Sequence, residues 1–487
     1  MSRVRAVAGG AVVLVGSQVL VTVVQVGTGA ATARLLAPTA FGVFAAAMSI
    51  TGVLGVILNS ATATAVLREP KLTRGRVWKL WSIAAQQAVI GGAATWLVAP
   101  AWASLYDTPS AETMIHWLSL QVGLSPLATT SSALLRRERR ARADALTQAG
   151  SVMLGLLVGL ACVWQWRQPV LLVVSPITAA GSLLIGTFLL RRDRYPRARL
   201  DRRWSVRRAN TQIVLQNLFF LALSAVPVWL VSRVDDAHEL GLFSRASAIP
   251  TMVVAALSLG LVRSAQPYYR SIEVEDQGRA LRDLVVMTGA VAVPMMTALA
   301  ACAHPLIDVW LGSNWIEGAK YTPVVAAGSA AYLMFTLLAN AAETLSFLRD
   351  VRVAQAAMLP ALVCVALVSY ALGSSEVAAA TTLVVALPGL ASLTMVLDKR
   401  GLGAVRGLLP AAASQFAFGL AIGLVGWLCA RASAGLGSWA SLVLSAAIVG
   451  VLFVVSLPLR PEWRVMRARG LLPSPLTRVG ASREPSL

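Results

Sequence analysis

Two stretches decide how this chain is read: residues 34–50, RLLAPTAFGVFAAAMSI, and residues 233–249, RVDDAHELGLFSRASAI. Both begin with arginine. Both reach an [FL]-G-[VL]-F step seven residues later, at Phe41–Phe44 and Leu240–Phe243. Both place isoleucine six residues after that phenylalanine, at Ile50 and Ile249. No gap is needed, and the offset stays at the 199 residues that separate Arg34 from Arg233. Self-similarity at a fixed offset is the mark of a duplicated architecture. Chance likeness between two hairpins of similar composition is the competing reading.

Composition says what is duplicated. Of the 487 residues, 57% are hydrophobic and 13% charged, and mean hydropathy is +0.70. Soluble domains carry about 25% charged residues, so this chain has too few charges to coat a surface in water. Its natural solvent is the bilayer. A helix of roughly 20 apolar residues crosses a hydrocarbon core of about 30 Å, and only internally closed hydrogen bonding survives there. Fourteen apolar runs fit: 7–33, 40–66, 80–104, 112–135, 145–164, 170–190, 210–232, 239–262, 284–308, 321–347, 354–373, 376–397, 407–430 and 438–459. The first run follows "MSRVR" and is longer than a signal h-region of about 7–15 residues, so it reads as a retained span. The expected fold class is an all-α polytopic membrane protein with about 14 transmembrane helices.

Charge orients the spans. With the N-terminus inside, "REPKLTRGRVWK", "RRERRAR", "RRDRYPRARLDRRWSVRR", "DKRG" and the tail from Arg460 lie on the inner side. Of the 42 Lys and Arg, only Arg34, Arg167, Arg233, Arg245, Lys320 and Arg431 fall elsewhere. This is the positive-inside pattern. It places the net charge of +20 against anionic headgroups of the inner leaflet, not against nucleic acid. Both termini are then cytoplasmic. Six spans, an even number, separate the repeated hairpins, so the copies run parallel, related by an axis along the membrane normal. The chain divides into an N-lobe (1–190, spans 1–6), a basic cytoplasmic linker (191–209) and a C-lobe (210–397, spans 7–12). Spans 13–14 (398–459) and a basic cytoplasmic tail (460–487) follow.

Little is left for catalysis. The longest outer connection, around "LGSNWIEGAK", is about a dozen residues, too short for the catalytic loops of a membrane glycosyltransferase or polymerase. No GxxxxGK[ST], HExxH or GxSxG pattern occurs, so ATP is not hydrolysed by this chain and no cofactor is expected. Cys162, Cys302, Cys364 and Cys429 lie singly in apolar runs, which supports neither a disulfide framework nor a metal site. The chain reads as a transporter, not an enzyme.

At this point the residues look familiar. "ARLLAPTAFGVFAAAMSI" resembles the first hairpin of polysaccharide-transporter family flippases, which often reads A-R-x-L-x-P-x-x-F-G. "LGLFSRAS" resembles their L-G-x-Y/F-S-x-A segment in the eighth span, and "PLIDVWLGSNWIEGAKYTPVVA" resembles the outer end of their ninth. Over about residues 1–400 the chain resembles the O-antigen and capsule flippase branch of the multidrug/oligosaccharidyl-lipid/polysaccharide (MOP) superfamily. The resemblance implies a bacterial cytoplasmic (inner) membrane protein. It implies alternating-access transport of undecaprenyl-pyrophosphate-linked oligosaccharide from the inner to the outer leaflet, for O-antigen, lipopolysaccharide or exopolysaccharide biosynthesis. A polysaccharide polymerase and glycosyltransferases are the partners such a route implies, with membrane lipids around it. Lipid II-type export and drug or cation antiport are the other activities of the same fold.

Such a substrate carries a pyrophosphate, which is prohibitively costly to move bare through hydrocarbon. A hydrated cavity with fixed cations is needed, and arginine suits it, being always charged and able to fork onto phosphate oxygens. Arg245 lies inside the eighth run, and an ionisable residue there is a functional candidate by default. Two readings stay open: a substrate-facing cation, or an arginine that snorkels outward or pairs with Asp235, Asp236 or Glu239. Arg34 and Arg233, at span ends, are candidate pyrophosphate or glycan contacts, and Arg263 a candidate at the cytoplasmic mouth. Gln18 and Gln25, seven residues apart on one face of span 1, are expected to line the cavity, as are Asn217 and Asn340 more weakly. Gating by bending at Pro227 and Pro250 stands beside static kinks. Asp144, Glu343, Asp308, Glu112, His116 and His304 are the groups nearest to coupling an ion, and the sequence does not choose among them.

Overall fold

The computed structural model describes residues 2–68, 72–138, 140–191, 225–255, 257–258, 273–403 and 408–456. Among the described residues the regular elements are helices and no strand is present. The first lobe contains α1 (Ser2–Leu35), α2 (Pro38–Arg68), α3 (Arg74–Leu105), α4 (Ala111–Arg137), α5 (Ala141–Trp166) and α6 (Val174–Leu190). The second contains α7 (Ala225–Val234), α8 (Ala237–Ala246), α9 (248–255), α10 (Gln277–Ala301), α11 (Ala303–Leu311), α12 (Thr322–Thr344), α13 (Leu348–Leu372), α14 (Ser375–Ala379) and α15 (Thr381–Leu397). Then come α16 (Leu408–Ala432) and α17 (Ser438–Ser456). Ten described segments are long and apolar enough to cross a membrane. The linker 191–209 lies outside the described residues except for Arg191.

Several helices outrun the apolar segments that announce them. α3 begins at Arg74 instead of residue 80, because Thr73 caps it: its hydroxyl accepts the Arg76 N–H at 3.4 Å. Such a cap satisfies one of the donors left over in the first turn. Two runs read as single spans are broken. The eighth is interrupted at Ser247, between α8 and α9, and the ninth at Cys302, between α10 and α11. Both breaks lie just before a proline. Pro250 and Pro305 lack the N–H that would bond the carbonyls of Ala246 and Ala301, four residues back, and each helix ends at that freed carbonyl.

The duplication seen in the sequence recurs in the packing. In the first lobe α3 packs on α4, α5 on α6, and α4 on α6. In the second, α10 packs on α12, α13 on α15, and α12 on α15. Counted as spans, the pairs 3–4, 5–6 and 4–6 become 9–10, 11–12 and 10–12. α16 lies on α10, and α17 on α16 and α11, so the last two spans belong to the second lobe's flank. Glycines permit the closest of these approaches. A Cβ at Gly155 or Gly159 would come within 2.9 Å of Ala179 Cβ or 2.8 Å of Ser175 Cβ on α6, and one at Gly419 within 2.9 Å of Val293 on α10.

Each lobe also buries a carboxylate in the first turn of its fifth span: Asp144 on α5 and Asp350 on α13. Asp144 accepts from Ser132 Oγ at 2.6 Å and Gln148 Nε2 at 2.9 Å, with Arg136 Nε at 3.4 Å. Asp350 accepts from Arg400 at 3.0 Å. Asp144 is therefore spoken for as a brace between α4 and α5. Asp144→Ala is expected to destabilise the protein by about 1–3 kcal/mol, the cost of leaving buried partners unsatisfied. A thermal unfolding midpoint in detergent equal to that of the wild type counts against the brace.

Candidate functional site

The two lobes meet where the repeated hairpins meet. α2 packs on α8 at their N-terminal ends. At the crossing, a Cβ added to Gly42 would collide with the Ala237 carbonyl, and one added to Gly241 would collide with the Pro38 carbonyl. Those four residues form two pairs at the repeat offset, Gly42 with Gly241 and Pro38 with Ala237. The lobes thus touch backbone to backbone about a local two-fold axis. The glycine of each [FL]-G-[VL]-F step is there because no other residue admits the other lobe's chain so closely.

Around this crossing, each lobe bonds the helix ends of the other. The last four carbonyls of a helix have no partner within it. At the end of α1, Ala33 O accepts Trp315 Nε1 at 3.0 Å; at the end of α3, Leu105 O accepts Trp229 Nε1 at 3.2 Å. At the end of α11, Val309 O accepts Arg34 Nη2 at 2.9 Å, a cation at the negative end of the helix dipole. Arg233 pairs with Asp107, just past α3. Trp310 Nε1 bonds Val26 O of α1 at 2.9 Å. Span 1 is therefore tied to span 9, and span 7 to span 3, the same exchange twice. Phe41, Ile50, Leu240, Leu242, Trp315 and Tyr321 share one apolar core that runs across both lobes.

Arg245 sits beside this junction, half-buried at the C-terminal end of α8. Its guanidinium carbon lies 4.1 Å from the centroid of the Phe41 ring, within the range of a cation–π contact. Gly29 of α1 lies alongside: a Cβ there would stand in ordinary contact, 3.9 Å from Arg245 Nη1 and 3.5 Å from the Trp310 ring. The Arg245 Nε is buried without a hydrogen-bond partner among the described residues. The carboxylates offered by the sequence as pairing partners do not take it. Asp236 caps α8 by accepting the Glu239 N–H at 3.0 Å, and Glu239 is held by Lys320 Nζ at 3.0 Å and by the Tyr321 hydroxyl. Asp235 is exposed and makes no ion pair with Arg245 among the described residues. Among the described residues none of the three acids pairs with Arg245, and two of them, Asp236 and Glu239, are engaged in building the junction.

The other candidates distribute unevenly. Gln25 is exposed and Gln18 half-buried on α1; with Gly29 they follow the i, i+7, i+11 spacing of one helical stripe, which ends at Arg245. Arg34 and Arg233 are exposed and occupied as clasps. Asn340 is half-buried, its amide donating to Thr336 O of its own helix at 2.8 Å. Asn217 and Arg263 lie outside the described residues. Asp308 accepts from the Ser438 hydroxyl. Sequence reading missed Phe41 as the seat of the guanidinium and Trp315 as a clasp. The first had a signal, since Phe41 stands in the repeated step itself. The second had none beyond a tryptophan in an otherwise polar connection.

With the geometry in hand, comparison adds ancestry. The family model described as "Polysaccharide biosynthesis protein" matches residues 31–320, the part that contains the crossing, both clasps and Arg245. The succinoglycan biosynthesis transport protein ExoT of Rhizobium meliloti (strain 1021) is 25% identical over 296 residues, which is 58% of this chain and 58% of that protein. The match thus spans little more than half of the curated relative's length. Among solved structures, the lipid II flippase MurJ in an inward closed conformation superposes with a TM-score of 0.64 at 12% identity, covering 92% of this chain and 99% of that one. An inward-facing multidrug resistance MATE family transporter of the MOP superfamily gives a TM-score of 0.45 at 13% identity, covering 84% and 98%.

Proposed function

The chain belongs to the polysaccharide biosynthesis protein family, and from that premise we propose that it is a flippase for undecaprenyl-pyrophosphate-linked oligosaccharide. It carries the lipid-linked glycan from the inner to the outer leaflet of the bacterial cytoplasmic membrane by alternating access. The N-lobe is residues 1–190, the C-lobe 210–397, with 191–209 and 460–487 as basic cytoplasmic segments. Positive-inside orientation puts both termini in the cytoplasm and the glycine crossing at the outer leaflet. The path between the lobes is then closed above Arg245.

One observation carries the reading. Arg245 is a fixed cation against the lobe interface, and among the described residues its Nε is unengaged and no carboxylate pairs with it. A drug or cation antiporter would place an acid there; a pyrophosphate carrier needs a cation. Gln18 and Gln25 approach it along α1 and offer amides to sugar hydroxyls. Arg34 and Arg233 meet substrate only when their clasps open. Arg263, Asn217 and Asn340 complete the path on the cytoplasmic side.

The test is complementation of a deletion strain with the wild type, Arg245→Ala or Arg245→Lys at matched membrane levels. Deletion is expected to trap glycan-lipid on the cytoplasmic leaflet and abolish surface polymer. Arg245→Ala is expected to lower surface polymer about tenfold or more, from the loss of a charge-assisted bond of about 1.5–3 kcal/mol, and Arg245→Lys to restore part of it. Full rescue by Arg245→Ala removes Arg245 from the path. Drug sensitivity with unchanged glycan-lipid replaces the flippase with an antiporter.

A further inference from the structure

A second cleft, of about 460 Å³, lies on the far flank of α11, between the second lobe and the last two spans. Its walls are apolar: Pro305 of α11, Ile316 of the following turn and Trp427 of α16. Its rim is cationic and hydroxylic, with Arg431 near the end of α16, His304 at the start of α11 and Ser438 at the start of α17. Arg431 is exposed, lies 4.9 Å from the Trp427 ring centroid, and makes no ion pair among the described residues. Asp308, on α11, accepts from the Ser438 hydroxyl. The ionisable side chains that line this space, Arg431 and His304, are both basic.

The surroundings fix the depth. The cleft opens beside the short turn between α16 and α17, where Trp427, Leu436 and Trp439 are exposed. Exposed tryptophans at the end of membrane-crossing helices mark the headgroup level. Below it, exposed Leu420 and Leu424 on α16 and Val443 and Val451 on α17 continue as apolar walls. Basic side chains at headgroup depth above a hydrocarbon wall match an anionic phospholipid in both chemistry and layout. An inorganic anion would meet the charges and leave the walls unfilled.

We propose that this cleft holds the phosphate of an anionic phospholipid headgroup, with Arg431 as its main ligand and His304 as a second donor. The lipid's acyl chains lie along α16 and α17, and it acts as a wedge that fixes the last two spans to the second lobe. The proposal does not depend on which substrate the lobes carry.

Native mass spectrometry of the purified full chain, titrated with phosphatidylglycerol, tests it. The wild type is expected to retain one more phosphatidylglycerol than the Arg431→Gln/His304→Gln variant, with affinity for that molecule falling about tenfold. Ala430→Trp, which fills the cleft and keeps both charges, is expected to lose the same molecule. Thermal midpoints in a neutral detergent show that both variants fold. Diacylglycerol, which has no phosphate, is expected not to bind there, and millimolar inorganic phosphate is expected not to displace the lipid. Unchanged retention by both variants overturns the site. Displacement by inorganic phosphate overturns the lipid and leaves a simple anion site.

Discussion

Alanine at both Gly42 and Gly241 is expected to abolish surface polymer while leaving most of the protein folded in the membrane. Each added Cβ meets a backbone carbonyl of the other lobe, and each also falls near the facing glycine nitrogen, at 3.0 and 3.1 Å. Carbonyls cannot swing aside as a flexible side chain does. Ordinary contact between heavy atoms needs about 3.5–4.0 Å, so the lobes must part by on the order of 1 Å. Small shifts at a packed interface are amplified because such interfaces are bistable and not continuously deformable. On the proposed alternating-access mechanism, the clash burdens the arrangement in which the hairpins touch. Spin labels at Thr39 and His238, which are themselves a repeat pair, report it. The double variant is expected to show a longer, broader distance than the wild type. An unchanged distance with normal polymer export means that the crossing does not gate transport. Alanine at Gly312, where a Cβ meets nothing but the backbone φ is +103°, serves as a control: it strains a turn without touching the crossing.

Gly42 and Gly241 were visible as a repeat, and in the structure they meet as a pair at the crossing of α2 and α8. That signal is strong because it is local and gapless, and because hydropathy and charge asymmetry fix spans independently of it. Arg245 was visible for a different reason, as a charge inside an apolar run. What it touches was not. Phe41, Gly29 and Trp310 come from three other helices, α2, α1 and α11, and nothing periodic in the chain links residue 245 to residues 29, 41 and 310. The broken eighth and ninth spans were half legible. Pro250 and Pro305 could be seen, but prolines also lie inside the unbroken α4, α13 and α15. Whether a freed carbonyl ends a helix depends on what packs there, and that is a tertiary property. The acids misled in the opposite sense. Near Arg245 in the chain, they looked like its partners; in three dimensions Asp236 caps a helix and Glu239 holds Lys320 and Tyr321.

Trp315→Ala is expected to be the most damaging single substitution at the junction. The side chain is 1% exposed and stacks edge-on to Phe41, with ring centroids 5.2 Å apart. Removing a buried tryptophan costs about 3–5 kcal/mol, and the Ala33 carbonyl at the end of α1 loses its donor as well. Trp315→Phe separates the two terms. It keeps most of the packing and deletes only the N–H, so its expected cost is about 1–3 kcal/mol. Unfolding midpoints should therefore rank wild type, Trp315→Phe, Trp315→Ala, with Trp439→Ala, 66% exposed, indistinguishable from wild type. On the proposed alternating-access mechanism the same substitutions are expected to act on the open-to-closed balance, because this indole belongs to one lobe and its acceptor to the other. A contact made only in the closed arrangement shifts the open-to-closed ratio tenfold for each 1.4 kcal/mol lost, roughly. Trp315→Ala thus opens the crossing even in the fraction that stays folded. The labels at residues 39 and 238 should then show the long distance that the double alanine variant shows, by a different route. If Trp315→Ala lowers the midpoint but leaves that distance short, the indole stabilises the second lobe alone, and the clasp is held by Arg34 and Trp229.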